Sequence, residues 1–372
     1  MYTVKFNKII AKPDPDYGFP CSRSSHGFSC VSFCGRTLLV LIGGEHVART
    51  PLDSNQMVWI AEKYDGCWTW KNVRFAEDEP VPPLRVAHSQ AAVADCVYIF
   101  GGRSGVEMGE NAMNDLWRFH VPTFTWELIQ CNESQLIPEA RSFHRMVAVN
   151  YEYPTGNKAS LFIFGGCGLS GRLNDLHEFK LETETWKSQG SSSLLAGKGG
   201  ANMLVFKTNH SSEPYIAIVA GFQGQESNDG HLCYGSLSAV ETDPTWTWDD
   251  TKMKGLDGLR PRSVCVSASS HDNLGVIFGG EVNPSDRGHE GAGGFARDLV
   301  LLDGSNCGAI LQTIDCPSTY HGEWPQARGW SDGDMLVSRN GAIFYFFGGL
   351  SGDDANPTRL DDLWQCEIDR VQ

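Results

Sequence analysis

The 372-residue sequence predicts an all-β fold, a six-bladed β-propeller whose ring is closed by the N-terminal strand. Three observations carry that expectation. Short apolar strands ending in a Gly pair recur along the chain; the same landmarks follow in the same order around each; and helical periodicity is almost absent. Five copies are plain: Leu39-Val-Leu-Ile-Gly43-Gly44, Val97-Tyr-Ile-Phe-Gly101-Gly102, Leu161-Phe-Ile-Phe-Gly165-Gly166, Gly275-Val-Ile-Phe-Gly279-Gly280 and Ile343-Phe-Tyr-Phe-Phe-Gly348-Gly349. The longest gap lies between the third and the next of these, and Tyr215-Ile-Ala-Ile-Val-Ala220-Gly221 fills it as a sixth copy with Ala for the first Gly.

Each unit opens on an Arg or Gly turn, as in Arg23-Ser-Ser-His26, Arg85-Val-Ala-His88, Arg141-Ser-Phe-His144, Gly199-Gly200, Arg262-Ser263 and Arg328-Gly-Trp330. After the Gly pair comes a variable loop, then an Asp-Leu segment such as Asn114-Asp115-Leu116 or Asp361-Asp362-Leu363, and in most copies a Trp strand marked by Trp68 or Trp70, Trp126, Trp186, and Trp246 or Trp248. Aromatic and β-branched runs separated by Gly, Pro, Asn and Asp give four strands per unit. The paired glycines end a strand where backbones crowd and no Cβ fits. The last unit ends in its third strand, around Asp361-Asp-Leu-Trp364, and Tyr2-Thr-Val-Lys-Phe-Asn-Lys-Ile9 is the unassigned strand-like segment. Pairing the two would remove the open edge of the ring. The expected organisation is one domain over residues 1–372.

With 30 Lys and Arg against 45 Asp and Glu, the net charge of −15 excludes a polyanion partner, so neither nucleic acid nor an anionic membrane is expected. An anionic small molecule needs a local site of converging Arg side chains. The first residues carry charges inside a short apolar run and show no cleavage pattern, and no run approaches a membrane span. The 12 Cys contain no C-x-x-C pair and are expected to be reduced, buried thiols, which places the chain in the cytoplasm. A homo-oligomer is compatible with all of this.

Recurrence separates scaffold from site. The opening Arg and His residues repeat from blade to blade, which argues first for a packing role. Arg103, directly after Gly102, and Arg172 in Leu169-Ser-Gly-Arg172 do not repeat, and two such guanidiniums suit an anionic group. The fifth Gly pair departs from its fellows in the insert Glu281-Val-Asn-Pro-Ser-Asp286-Arg-Gly-His289. Pro284, Ser285 and Gly288 supply turn chemistry, and the separations are short enough for a single turning loop to aim Glu281, Asp286 and His289 at one point. Two carboxylates with one imidazole form a hard, oxygen-rich set suited to Fe(II), Mn(II) or a similar divalent ion, and a poor one for structural zinc. Turn-capping, solvated groups are the competing explanation of the same residues.

The Gly pair, the downstream aromatic and the Trp resemble the kelch repeat from about residue 20 onward. Blade by blade, Ser24-Ser-His-Gly27, Pro138-Glu-Ala-Arg141-Ser, Gly199-Gly-Ala201 with Gly221-Phe222, Gly279-Gly-Glu281 running to His289, and Ala327-Arg-Gly-Trp330 resemble the kelch specifier proteins of glucosinolate metabolism: the nitrile-specifier, epithiospecifier and thiohydroximate-forming proteins. That resemblance implies a lyase-like activity on a glucosinolate aglycone, with ferrous iron held by a Glu-x-x-x-Asp-x-x-x-His loop. Glu281 and His289 match the loop; the middle place holds Ser285, with the carboxylate one residue later at Asp286. It further implies that Arg103 and Arg172 hold the substrate's sulfate and that Trp330 bounds the pocket. A non-enzymatic kelch scaffold for a protein partner, or a kelch enzyme acting on another small molecule, is the alternative.

Overall fold

The computed structural model describes residues 2–130, 136–153, 156–208, 213–236, 244–249, 251–270, 272–316 and 323–371, with the backbone alone at Glu152, Tyr153, Gly156, Asn157 and His289. Six antiparallel sheets follow one another around a central channel, each running from an inner to an outer strand. Blade one consists of Gly27–Phe33, Arg36–Ile42, Val58–Tyr64 and Cys67–Val73. Blades two to five fall within residues 89–128, 141–188, 202–248 and 266–314. Blade six uses Asp332–Val337, Gly341–Gly352 and Pro357–Arg370, and its outer strand is Tyr2–Ile9. The pairing of Tyr2 with Arg370 through Ile9 with Leu363 is the closure expected from the sequence. Helix is confined, among the described residues, to three short 3₁₀ turns. None of these is long and apolar enough to cross a membrane, and the described cysteines are all free thiols.

The two landmarks of the repeat turn out to be partners. Arg85, Arg141, Arg262 and Arg328 are almost wholly buried. Each donates through both terminal nitrogens to the Asp of its own blade's Asp-Leu segment: Asp115, Asp175, Asp298 and Asp362, all at 2.7–2.9 Å. Each also donates to the carbonyl of the first Gly of its blade's pair, at 2.8–3.0 Å. Such a fork satisfies a buried guanidinium that would otherwise be costly to desolvate. In blade one Arg23 uses Gln56 in place of an Asp. In blade four the opening cation is Lys198, one residue before the Gly pair read as the turn; it bonds Asp229, Ser227 and the Ala220 carbonyl.

Blades dock through the glycines. Gly101 and Gly102 have φ of 62° and 92°. A Cβ on Gly101 would lie 2.7 Å from the Arg141 carbonyl and 2.9 Å from His144 Cε1 of the next blade. His26, His88 and His144 are therefore inter-blade packing groups. Burial holds His88 down to about 3 and the other two well below the usual imidazole range, so all three are neutral. Ala220, at φ 62°, substitutes for Gly in blade four, where the following blade presents Cys265 and not an imidazole ring.

The residue between each opening pair and the inner strand closes a collar around the channel. Backbone N–H groups of Ser25, Ala87, Phe143, Gly200, Val264 and Trp330 each donate to the carbonyl of the neighbour in the adjacent blade, at 2.8–3.0 Å, and the last bond returns to the first residue. All six have positive φ. A left-handed backbone at Val264 and Trp330 is strained in isolation and persists because the ring of hydrogen bonds over-determines it.

Candidate functional site

The collar divides the channel. On the side of the inner strands lies a cavity of about 560 Å³. Arg145 reaches across it to Asp332 at 2.8 Å and to Ser267 at 3.2 Å. At the collar itself the space narrows to about 50 Å³, bounded by Phe143, Val264 and Trp330 among others. The loops that follow the Gly pairs gather on the opposite side, and the expected site residues belong there.

The residue after each Gly pair is fixed in place by backbone pairing with the residue after the opening cation: Ser24 with Glu45, Val86 with Arg103, Ser142 with Cys167, Gly199 with Phe222, Ser263 with Glu281 and Gly329 with Leu350. Six side chains thus take equivalent positions around the mouth while differing in chemistry. Blades two and three make it basic. Arg103 is 4% exposed, donates to the Val106 and Glu107 carbonyls of its own loop, lies 5.3 Å from the centre of the Phe143 ring, and keeps a buried Nε without a partner. Burial pulls its guanidinium below the usual range, with Glu45 and Cys167 acting the other way. Arg172 pairs across its hairpin from Cys167, is exposed, and stacks 4.6 Å from the Phe222 ring centre. Burial raises the Cys167 thiol although both guanidiniums act to lower it.

Blades four to six make the other side acidic. Glu281 is 6% exposed, and its Oε1 is buried without a hydrogen-bond partner. Burial first, then the charges of Glu226 and Asp354, push it up to about 8. Glu226 accepts from Ser263 Oγ at 3.0 Å, leaves Oε2 buried and unpartnered, and is pushed by burial up to about 7. The insert forms its own ribbon, Glu281–Asn283 with Gly294–Phe295, around a 3₁₀ turn at Gly288–Glu290. Phe295 meets Trp330 edge-on at 5.9 Å, which seats the ribbon against the collar.

The structure therefore gathers Arg103, Arg172, Glu281 and Trp330 at the Gly-pair end of the propeller. Asp286 is in the same loop and exposed. The side chain of His289 lies outside the described residues. The buried Glu281 Oε1 has no hydrogen-bond partner and is the kind of oxygen donor that a hard divalent ion takes. Among the described residues no three His, Cys, Asp or Glu side chains converge on one point. Sequence reasoning missed Glu226, Cys167, Asp354 and Glu45. Reading the position after every Gly pair as one column would have found Glu45 and Cys167; Glu226 and Asp354 sit in loops of no fixed pattern.

The KLHDC2/KLHL20/DRC7 Kelch-repeats domain family matches residues 27–233. The N-(sulfonatooxy)prop-2-enimidothioate sulfolyase of Thlaspi arvense is 24% identical over 302 residues, 76% of this chain and 77% of that protein. The Leucine-zipper-like transcriptional regulator 1 homolog of Drosophila melanogaster is 31% identical over 149 residues, and Leucine-zipper-like transcriptional regulator 1 of Mus musculus is 27% identical over 188. These matches take in 35% and 50% of this chain but 14% and 20% of those longer proteins. The solved structure of YjhT superposes with a TM-score of 0.60 at 12% identity, over 95% of this chain and 99% of that one, a likeness of fold alone.

Proposed function

The chain belongs to the kelch-repeat family, and from that premise we propose that it is an Fe(II)-dependent, specifier-like lyase acting on a small sulfated thiohydroximate-type anion, such as a glucosinolate aglycone, at the Gly-pair mouth. The observation that carries the reading is the pairing of Arg103 and Arg172 on adjacent blades, each against an aromatic ring, opposite the buried carboxylate of Glu281. The distant likeness to the Thlaspi sulfolyase, which runs over most of both chains, supports a related substrate.

In this reading the two guanidiniums bind the sulfate, Arg172 through its exposed face and Arg103 through the donors its own loop leaves free. Rings from Phe143, Phe222 and Trp330 flank the bound anion and exclude water, which strengthens those contacts. Glu281, with His289 and a second carboxylate, expected at Asp286, would hold the iron. The metal would supply Lewis-acid polarisation that weakens the bond to the leaving group. The two guanidiniums on one side of the mouth orient the substrate, with its sulfate toward blades two and three and its reacting end toward blade five. The expected product is a nitrile, left when the C–S and N–O bonds break and release one sulfur atom and sulfate, or a related compound, in place of the spontaneous isothiocyanate, which keeps that sulfur.

Titration calorimetry with a stable sulfated thiohydroximate derivative tests the anion site. Arg103→Ala and Arg172→Ala should each weaken binding by about tenfold or more. Unchanged affinity in both variants would remove the sulfate-holding role.

A second reading has its own observation. Val47, Val106, Met108 and Leu169, on the loops of blades one to three at this same end, are 62%, 48%, 48% and 83% exposed. An apolar rim of this kind suits a protein partner, as expected of a non-enzymatic kelch scaffold. Binding that survives chelation and the loss of both arginines would favour the scaffold.

A further inference from the structure

In the proposed metal loop the middle place is the one where the sequence departs from the Glu-x-x-x-Asp-x-x-x-His spacing. Ser285 occupies that place, and the next residue, Asp286, is exposed. Ser285 is not an idle substitute. Its backbone N–H faces the Glu281 carboxylate, and its hydroxyl donates to Asp354 Oδ1 at 2.5 Å. One small residue of blade five thus sits between two carboxylates, one from its own blade and one from the loop of blade six.

Other contacts hold that neighbour in place. Arg287 donates through its guanidinium to the Asp354 carbonyl at 2.6 Å, which ties the blade-six loop to the insert. Asp353 accepts from the N–H groups of Ala355 and Asn356 at 2.8–2.9 Å and fixes the turn that presents Asp354. Gly291 leaves room for the pair: a Cβ there would lie 2.1 Å from Ser285 Oγ and 2.3 Å from Asp354 Oδ1. Independently of this cluster, Glu281 is nine-tenths buried with an oxygen that nothing satisfies, which is the condition of a carboxylate that lacks its cation.

We propose that Asp354 of blade six, and not Asp286, is the second carboxylate of the metal site, with Glu281 as the first and Ser285 as the residue that positions both. The inference rests on the metal-loop reading above and changes its ligand set. The site then spans two blades, so the ion joins the blade-five insert to the blade-six loop. Asp286, in solvent, is dispensable.

Mn(II) binding to the whole protein, prepared without oxygen and followed by electron paramagnetic resonance and calorimetry, tests this without any assay of activity. Asn in place of Asp354 keeps an oxygen that accepts from Ser285, and thermal melts verify that the variant is folded. Asp354→Asn is expected to weaken Mn(II) binding by about tenfold or more, Glu281→Gln likewise, and Asp286→Asn by less than about twofold. An equal loss from Asp354→Asn and Asp286→Asn, or a larger one from the latter, overturns the assignment and leaves the metal loop standing. A wild-type protein that takes up neither Mn(II) nor Fe(II) overturns both.

Discussion

Each opening arginine is a buried charge whose contribution depends on its partner. Arg85 is 2% exposed and forks onto Asp115, which also accepts from the indole N–H of Trp117 at 2.7 Å. Removing the Asp strands the guanidinium inside the blade. Asp115→Ala is therefore expected to cost about 3–5 kcal/mol in urea denaturation. Joint replacement of Arg85 and Asp115 by apolar residues of similar volume should cost less, because no uncompensated charge remains. Acidic residues at the mouth make a different prediction. Glu281 is pushed up to about 8 from an ordinary 4.5, so the folded metal-free protein holds a proton there that the unfolded chain gives up. Stability from this group is complete below the ordinary carboxyl range and is lost as pH rises toward about 8. In denaturation series at increasing pH, metal-free wild type should lose stability relative to Glu281→Gln across that window; parallel curves would show that Glu281 is not held protonated.

The N-terminal strand is the element on which ring closure depends. Tyr2–Ile9 pairs with Pro357–Arg370 along its whole length, and Phe6 is 2% exposed against Phe278, Trp324 and Phe346. Deleting residues 2–9 would leave the Pro357–Arg370 strand of blade six with an unpaired outer edge and uncover that aromatic cluster. Phe6→Ala alone should cost about 3–5 kcal/mol, and the deletion should lower the melting temperature further and promote aggregation; a truncated chain that melts like the full one would contradict this closure. The role of this strand was legible because the sequence left one blade a strand short and one strand unplaced. The blade-five insert was legible as a departure from the repeat, with Glu281 as its first acid. What sequence could not show was which neighbour reaches it. Asp354 lies 73 positions away from Glu281 by residue number and meets the insert only because consecutive blades bring their loops side by side. Lys198 is not legible in the sequence for a related reason: it stands where other blades carry Arg, and its bonds to Asp229 and the Ala220 carbonyl identify it as their equivalent.

At the scale of the molecule, a net charge of −15 surrounds a mouth that is basic on blades two and three and acidic on blades four to six. The collar separates this mouth from the larger cavity, so substrate is expected to enter and leave on the Gly-pair side. On the proposed function, the polarised mouth redirects the breakdown of a sulfated thiohydroximate-type anion. The most direct test of that function is the ratio of nitrile to isothiocyanate formed when such an anion is released in the presence of Fe(II)-loaded protein. Nitrile or a related product is expected well above the protein-free control, falling to that control in Arg103→Ala/Arg172→Ala and after chelation. A product ratio equal to the control with fully loaded, folded wild-type protein would contradict it.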